Sequence, residues 1–336
     1  MDSNKNIFVA DNWNHRIQKW ALGATQGITV AGGNGSGSAA NQLNNPRSVY
    51  IDSNGNIFVA DANNNRIQKW TPGATQGITV AGGNGEGSAT NQLNSPEDVY
   101  VDSNGNVYAT AAYTGGVAEL GPGTVSNYGN SAQGFYDFMV MKLSSVGATL
   151  WAYKFGSTSN DIGYSVKLSD DETKLAISGY FRGIIDFDTA GATIYNLSSV
   201  GNVDSGFLYV MNTSAGFIFA KAFGNSTAAC ASYDATFDNA NNVFVTGRFA
   251  GTSANFSPGV IANSNGGSGF DAFVAKYNND GNILWGVKFA GTLDSFGFRI
   301  NSDSQGNVYS AGKFFNTIDF NPGPGVYNLT ATVGPY

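Results

Sequence analysis

The sequence predicts an all-β fold of tandem four-stranded antiparallel blades, about six of them, imperfectly closed. Three observations predict it. Asp2, Asp52 and Asp102 open near-copies of one stretch at 50-residue intervals, and residues 2–51 match 52–101 at 38 of 50 positions. A fixed period of this size marks a repeat architecture. Each copy breaks into short apolar runs separated by Asn-Gly and Gly-rich turns. Charged residues are only 12%, while 42% of the chain is hydrophobic and 13% aromatic, a profile of many short strands rather than of disorder.

The elements follow in order. Residues 48–52 (SVYID) and 98–102 (DVYVD) alternate with the period of a strand. Ser-Asn-Gly-Asn at 53–56 and 103–106 is a hairpin turn, because Asn and Gly tolerate positive φ. NIFVAD is a strand of β-branched and aromatic residues. An Asn-rich turn, RIQKW, a turn at Gly23 or Gly73, and GITVAGG complete the copy. Four antiparallel strands in about 50 residues describe one blade of a β-propeller.

Asn14-His15-Arg16-Ile17, after a VAD strand and before a glycine-rich loop, resembles the signature of the NHL repeat family. The second copy keeps Asn64, Arg66 and Ile67 but has Asn65 in place of the histidine; the third departs after Ala109. This resemblance covers residues 1–110.

From Gly134 a second pattern takes over, with a period of 65 to 68 residues. Its first anchor is YDFMVMKL (136–143), recurring as GFLYVMN (206–212) and DAFVAKY (271–277). The second is a strand ending in Phe-Gly or Phe-Ala, at 151–156, 219–224 and 285–290. The third is Gly-x-Phe, at 179–181, 247–249 and 312–314, followed by IDFD (185–188), ANFSPG (254–259) and IDFNPG (318–323). The combination resembles SBBP repeats, bacterial β-propeller repeats of large extracellular or surface proteins, and covers residues 102–336.

DSNGNVY (102–108) fits both patterns, so residues 1–336 read as one propeller, with 50-residue repeats over 1–101 and 65–68-residue repeats over 102–336. The first blade has strands at 6–10, 16–20 and 27–31 but no first strand. Blades two to five end near 82, 155, 223 and 289, and the sixth is partial. The missing strand leads us to expect that the chain is a piece of a longer protein.

Several chemistries are excluded. The net charge is −7 with no Lys/Arg cluster, which argues against nucleic acid. No apolar run approaches 18 residues, so no helical membrane span is expected. Cys230 is the one cysteine, so no intrachain disulfide forms. His15 is the one histidine, too few for a His-built zinc or iron site within this chain. The glycine runs at 32–35 and 82–85 lack the following helix and Gly-Lys-Ser/Thr of a phosphate loop and read as blade-to-blade loops. Asp-Ser-Asn-Gly-Asn lacks the bidentate Glu of a calcium loop, Asn63 standing at the twelfth position from Asp52.

Candidate site residues come from the loops before each blade's first strand, which the family resemblance places at the mouth of a central channel. Asp161 and Asp294 hold nearly equivalent places in alternate blades, with Ala229 between them, and are expected to hold a cation or polar ligand. Tyr180, Arg248 and Lys313 fill the variable slot of Gly-x-Phe, and Arg248 and Lys313 are taken as ligand-binding candidates. The tryptophans at strand positions are expected to pack between blades, with Trp13 exposed.

The expected function is a non-catalytic binding or structural propeller of a larger bacterial extracellular or cell-surface protein. A protein or glycan ligand and no cofactor go with it. The alternative is a propeller enzyme, an NHL-related lyase or hydrolase, with a carboxylate-bound calcium at the channel mouth.

Overall fold

The structure, a computed structural model, describes residues 2, 4–87, 92–114, 127–128, 136–188, 194–251, 253–256, 260–262, 269–291 and 293–332. Residues 88–91 of the second glycine loop, Gly134 at the start of the second pattern, residues 257–259 of ANFSPG and residue 292 lie outside them. The chain divides into two compact units, residues 1–127 with 133–154 and residues 128–132 with 155–336.

The first unit holds three sheets. Blade one orders Ile7–Asp11, Arg16–Trp20 and Ile28–Gly32. Blade two orders Pro46–Ile51, Ile57–Asp61, Arg66–Trp70 and Ile78–Gly82. Blade three orders Asn94–Val101, Val107–Thr114, Tyr136–Leu143 and Thr149–Phe155, the last residue belonging to the second unit. All pairings whose register is resolved are antiparallel. Sheet faces stack through apolar side chains: Ile17, Ala31 and Leu43 meet Ile57, Val59 and Trp70. Phe58, Ala60 and Ile67 likewise meet Val99, Val107 and Met139. Fully burying one such side chain contributes about 1.5–3 kcal/mol.

The second unit repeats the plan. Blade four orders Ile162–Leu168, Lys174–Phe181, Ser205–Asn212 and Phe217–Phe223. Blade five orders Cys230–Phe237, Val243–Phe249, Asp271–Tyr277 and Ile283–Gly291. Among the described residues, the sixth sheet pairs Ser295–Ser302 with Val308–Phe314 alone. Sheets of this construction in tandem are the blades of a β-propeller, with most strand limits within about two residues of those the repeat pattern predicts.

The recurrent turn is a turn. Asp52 Oδ1 accepts from the Asn54 and Asn56 amides at 3.0 and 2.8 Å, and Asn56 Nδ2 donates to its Oδ2 at 2.7 Å. Asp102, Asp238 and Asp303 do the same for their own loops. The carboxylate closes an Asx turn.

The NHL-like motif locks one blade to the next. His15 and Asn65 both sit at left-handed φ, +52° and +54°. His15 Nδ1 accepts from the Asn45 amide at 3.1 Å, and Asn65 Oδ1 accepts from the Ser95 amide at 2.9 Å. Asn replaces His because the position needs an acceptor and a tolerated left-handed backbone. Arg66 donates to Asp61 at 2.7 Å and to the carbonyls of Ser38, Ala39 and Gln42, pinning the loop between blades one and two. Arg16 makes the same bond to Asp11 but stays 36% exposed, against 8% for Arg66.

Trp70 and Trp151 are buried as expected, and Trp13 is 89% exposed. Trp285 departs from the expectation at 38% exposed, because only two strands stand beside it in the sixth sheet.

Candidate functional site

Every first strand that follows a loop carries an unpaired extra residue. The register slips at Arg47 and Glu97 in the first unit, with a second slip at Ser95, and at Tyr164, Tyr233 and Phe298 in the second. Such a bulge re-aims its side chain out of the sheet. In the first unit the bulge residues Arg47 and Glu97 form an ion pair. In the second they form an aromatic row, with Tyr164–Tyr233 centroids 5.3 Å apart and Tyr233–Phe298 5.4 Å. The next residue links neighbouring blades: Ser48 hydrogen-bonds Asp98, and Ser165 Oγ donates to Asp234 Oδ1 at 2.7 Å.

The bulge also explains the glycine of Gly-x-Phe. A Cβ on Gly179, Gly247 or Gly312 would run into the carbonyl oxygen of Ile162, Ala231 or Phe296, each two residues before a bulge. Glycine is required there by the neighbouring strand, not by its own φ. The variable residue of the same frame then lands beside the aromatic row.

Arg248 is the centre of that surface. Its guanidinium lies 4.1 Å from the Phe270 centroid, 5.2 Å from Phe296 and 5.8 Å from Tyr233. Lys313 shares Phe296 at 4.8 Å and reaches Phe315 and Phe298 at 5.5 and 5.7 Å. Both are cation–π arrangements. Tyr180 stacks at 5.8 Å from Tyr164, and burial holds the Tyr180 and Tyr233 phenols above their ordinary range. A cavity of about 120 Å³ opens among Tyr164, Tyr180, Asp204, Ala229–Ala231 and Arg248. Arg248 lines it; its Nε is buried and, among the described residues, has no hydrogen-bond acceptor. Asp204 is held by Arg182 at 2.7 Å. Cys230 also lines the cavity, but burial pushes its thiol up to about 12, so it stays protonated.

The predicted pair of aspartates is placed differently. Asp161 is fully buried. Its Oδ2 accepts from the Ser157 amide at 2.5 Å and its Oδ1 from the Arg182 amide at 2.9 Å. Burial pushes its carboxyl up to about 7 against those two amides. Asp294 Oδ1 accepts from the Phe270 amide at 2.9 Å, and its backbone carbonyl accepts from Phe315 at 3.0 Å. Each therefore braces a loop. Among the described residues, no three or more His, Cys, Asp or Glu side chains gather as a metal-binding group. The structure brings Arg248 and Lys313 together on one ring, while the aromatic row went unnoticed in the sequence. Its signal is the aromatic that precedes Ser165, Asp234 and Arg299 at one place in each 65–68-residue repeat.

Comparison with known proteins agrees with this architecture. The NHL repeat family matches residues 43–70, which span the second blade's entry loop and first three strands. No curated protein matches the chain. Among solved structures, hydrazine synthase of Kuenenia stuttgartiensis superposes with a TM-score of 0.55 at 11% identity, covering 95% of this chain and 74% of that one. A gluconolactonase of Xanthomonas campestris is similar at a TM-score of 0.47 and 11% identity, over 92% and 80% of the two chains. A nidogen/laminin complex is similar at 0.47 and 12%, again over 92% and 80%. The expectation that the chain is not an enzyme is corrected by the hydrazine synthase likeness: an enzyme shares this fold, so the fold gives no ground for excluding catalysis.

Proposed function

We propose that this β-propeller is a binding module whose second unit recognises an acidic glycan, with a sugar carboxylate seated against Arg248. The observation that carries the reading is Arg248, which lines a cavity of about 120 Å³ and whose buried Nε has no acceptor among the described residues. A buried donor without a partner costs about 1–3 kcal/mol, and a ligand oxygen would restore it. The surroundings suit a sugar. Tyr164, Tyr180, Tyr233 and Phe298 present half-buried aromatic faces, and Tyr180 and Asp204 offer polar groups for hydroxyls. Lys313, exposed on the neighbouring ring, adds positive charge beside the cavity.

The same reading places the chain in a larger bacterial extracellular or surface protein. Its support is the resemblance of residues 102–336 to surface-protein repeats and the low charge.

Calorimetric titration with glucuronate, glucose and acetate tests the site. Glucuronate is expected to bind most tightly, and Arg248→Met, which keeps an apolar stem over Phe270, to abolish its advantage over glucose. Equal binding of glucuronate and glucose by the unaltered protein, or no binding of either, would overturn the reading.

A further inference from the structure

Each complete blade of the second unit is sealed by four phenylalanines drawn from four places in the repeat. In blade four, Phe187 lies 5.5, 6.2 and 5.4 Å from Phe155, Phe181 and Phe207. In blade five, Phe256 lies 5.2, 6.4 and 4.7 Å from Phe223, Phe249 and Phe273. All eight rings are 0% exposed. The sixth sheet repeats three of the four. Phe320 lies 5.9 Å from Phe289 and 5.2 Å from Phe314, and all three are half-buried. The fourth ring, contributed elsewhere by the third strand, has no counterpart among the described residues of that sheet.

The place it would occupy is shaped. In blades four and five the third-strand phenylalanine pairs with the glycine of Gly-x-Phe, Gly179 with Phe207 and Gly247 with Phe273. Its ring lies directly over that glycine, with Cε1 at 2.7 and 2.8 Å from where a Cβ would be. Gly312 is exposed, and among the described residues no ring atom comes within 3.2 Å of where its Cβ would be. Beside it runs a groove of about 570 Å³ whose lining includes Phe289, Phe314, Phe320, Ile318, Trp285 and Val274. The strand Val308–Phe314 borders it and pairs on one side with Ser295–Ser302; among the described residues no strand pairs with its other edge.

The geometry points to a strand-acceptor site: the edge Val308–Phe314 and its apolar groove take an extended peptide with the third-strand pattern of this repeat. The peptide pairs antiparallel and seats a phenylalanine over Gly312. This is β-augmentation, in which main-chain hydrogen bonds give affinity and the side-chain pocket gives specificity. Register follows from the complete blades: the residue paired with Phe314 stands two before the phenylalanine, as Ser205 and Asp271 do.

A fluorescently labelled peptide with the sequence of residues 269–278, GFDAFVAKYN, tests this on the intact chain by anisotropy. The expected result is saturable binding that quenches or shifts Trp285 emission. Replacing the phenylalanine equivalent to Phe273 by alanine is expected to weaken binding about tenfold or more. A peptide N-methylated at alternate residues is expected to lose binding, since pairing needs its amides. Sedimentation velocity without peptide is expected to give a monomer. No binding, equal binding of the alanine peptide, or a dimer that peptide cannot dissociate would overturn the proposal, the last by making a second copy the occupant.

Discussion

Ser165 donates its hydroxyl to Asp234 Oδ1 at 2.7 Å across 69 residues, while Asp234 Oδ2 accepts from the Ile300 amide at 2.9 Å. One carboxylate thus ties the first strands of blades four, five and six. Ser48 and Asp98 make the corresponding link between blades two and three, although their repeat is shorter and its signature different. The two repeat types therefore share the same first-strand device.

Removing the shared acceptor is expected to cost more than removing one donor. Asp234→Ala strips a buried amide and a buried hydroxyl of their partner and is expected to destabilise by about 3 kcal/mol, against about 1 kcal/mol for Ser165→Ala. Urea unfolding of the two variants measures the difference; equal losses would show that the second link, to Ile300, carries nothing.

Arg66 and Arg16 stand at the same repeat position in different surroundings. Arg66 holds three carbonyls and a buried Asp61, whereas the Arg16–Asp11 pair is partly exposed. Arg66→Ala is expected to cost roughly 3–5 kcal/mol, because it leaves the buried Asp61 without its counter-ion. Arg16→Ala is expected to cost below about 1 kcal/mol. Thermal or urea melts of both variants check the contrast.

The phenylalanine clusters predict a second asymmetry. Phe256→Ala empties the centre of a sealed cluster and is expected to cost about 3–5 kcal/mol. Phe320→Ala, in the half-buried cluster beside Gly312, is expected to cost about half that or less, because the position already faces solvent. Chemical denaturation gives both values.

Asp161 gives a pH dependence. Its carboxyl is raised to about 7 in the folded chain from an ordinary value near 3.8. Its contribution is therefore fully present below about pH 4 and is lost as pH rises through 7, by up to roughly 3–4 kcal/mol. Asp161→Asn is expected to flatten that part of the profile. Urea midpoints between pH 5 and 8 for both proteins check it, and parallel profiles would contradict it.

The blade plan was legible in the sequence because strand alternation and turn chemistry are local. Asn-Gly, Gly-x-Phe and the returning Asp-Ser-Asn-Gly-Asn each mark one turn or strand end. The three anchors of the second pattern and the stretch that follows the third each carry one phenylalanine, and these converge as Phe155, Phe181, Phe187 and Phe207. That convergence is invisible in the string, since it depends on a hairpin after the second strand folding back onto the third. The bulges at Tyr164, Tyr233 and Phe298 were missed for a similar reason, because only cross-strand register shows an extra residue. The amides that bond both oxygens of Asp161 and Oδ1 of Asp294 lie 4 to 24 residues away, so these contacts do not show in the string. Arg248 and Lys313 were found from a variable slot in a fixed frame, but not the Phe296 ring that joins them.

In the proposed site a sugar carboxylate accepts a hydrogen bond from Arg248 Nε. The arginine Nε–Hε cross-peaks, followed by NMR while glucuronate is added, report on that bond. One peak, missing in Arg248→Met, is expected to shift downfield and saturate with the calorimetric affinity. If that peak stays in place while glucuronate binds, or if no arginine responds, the claim is contradicted.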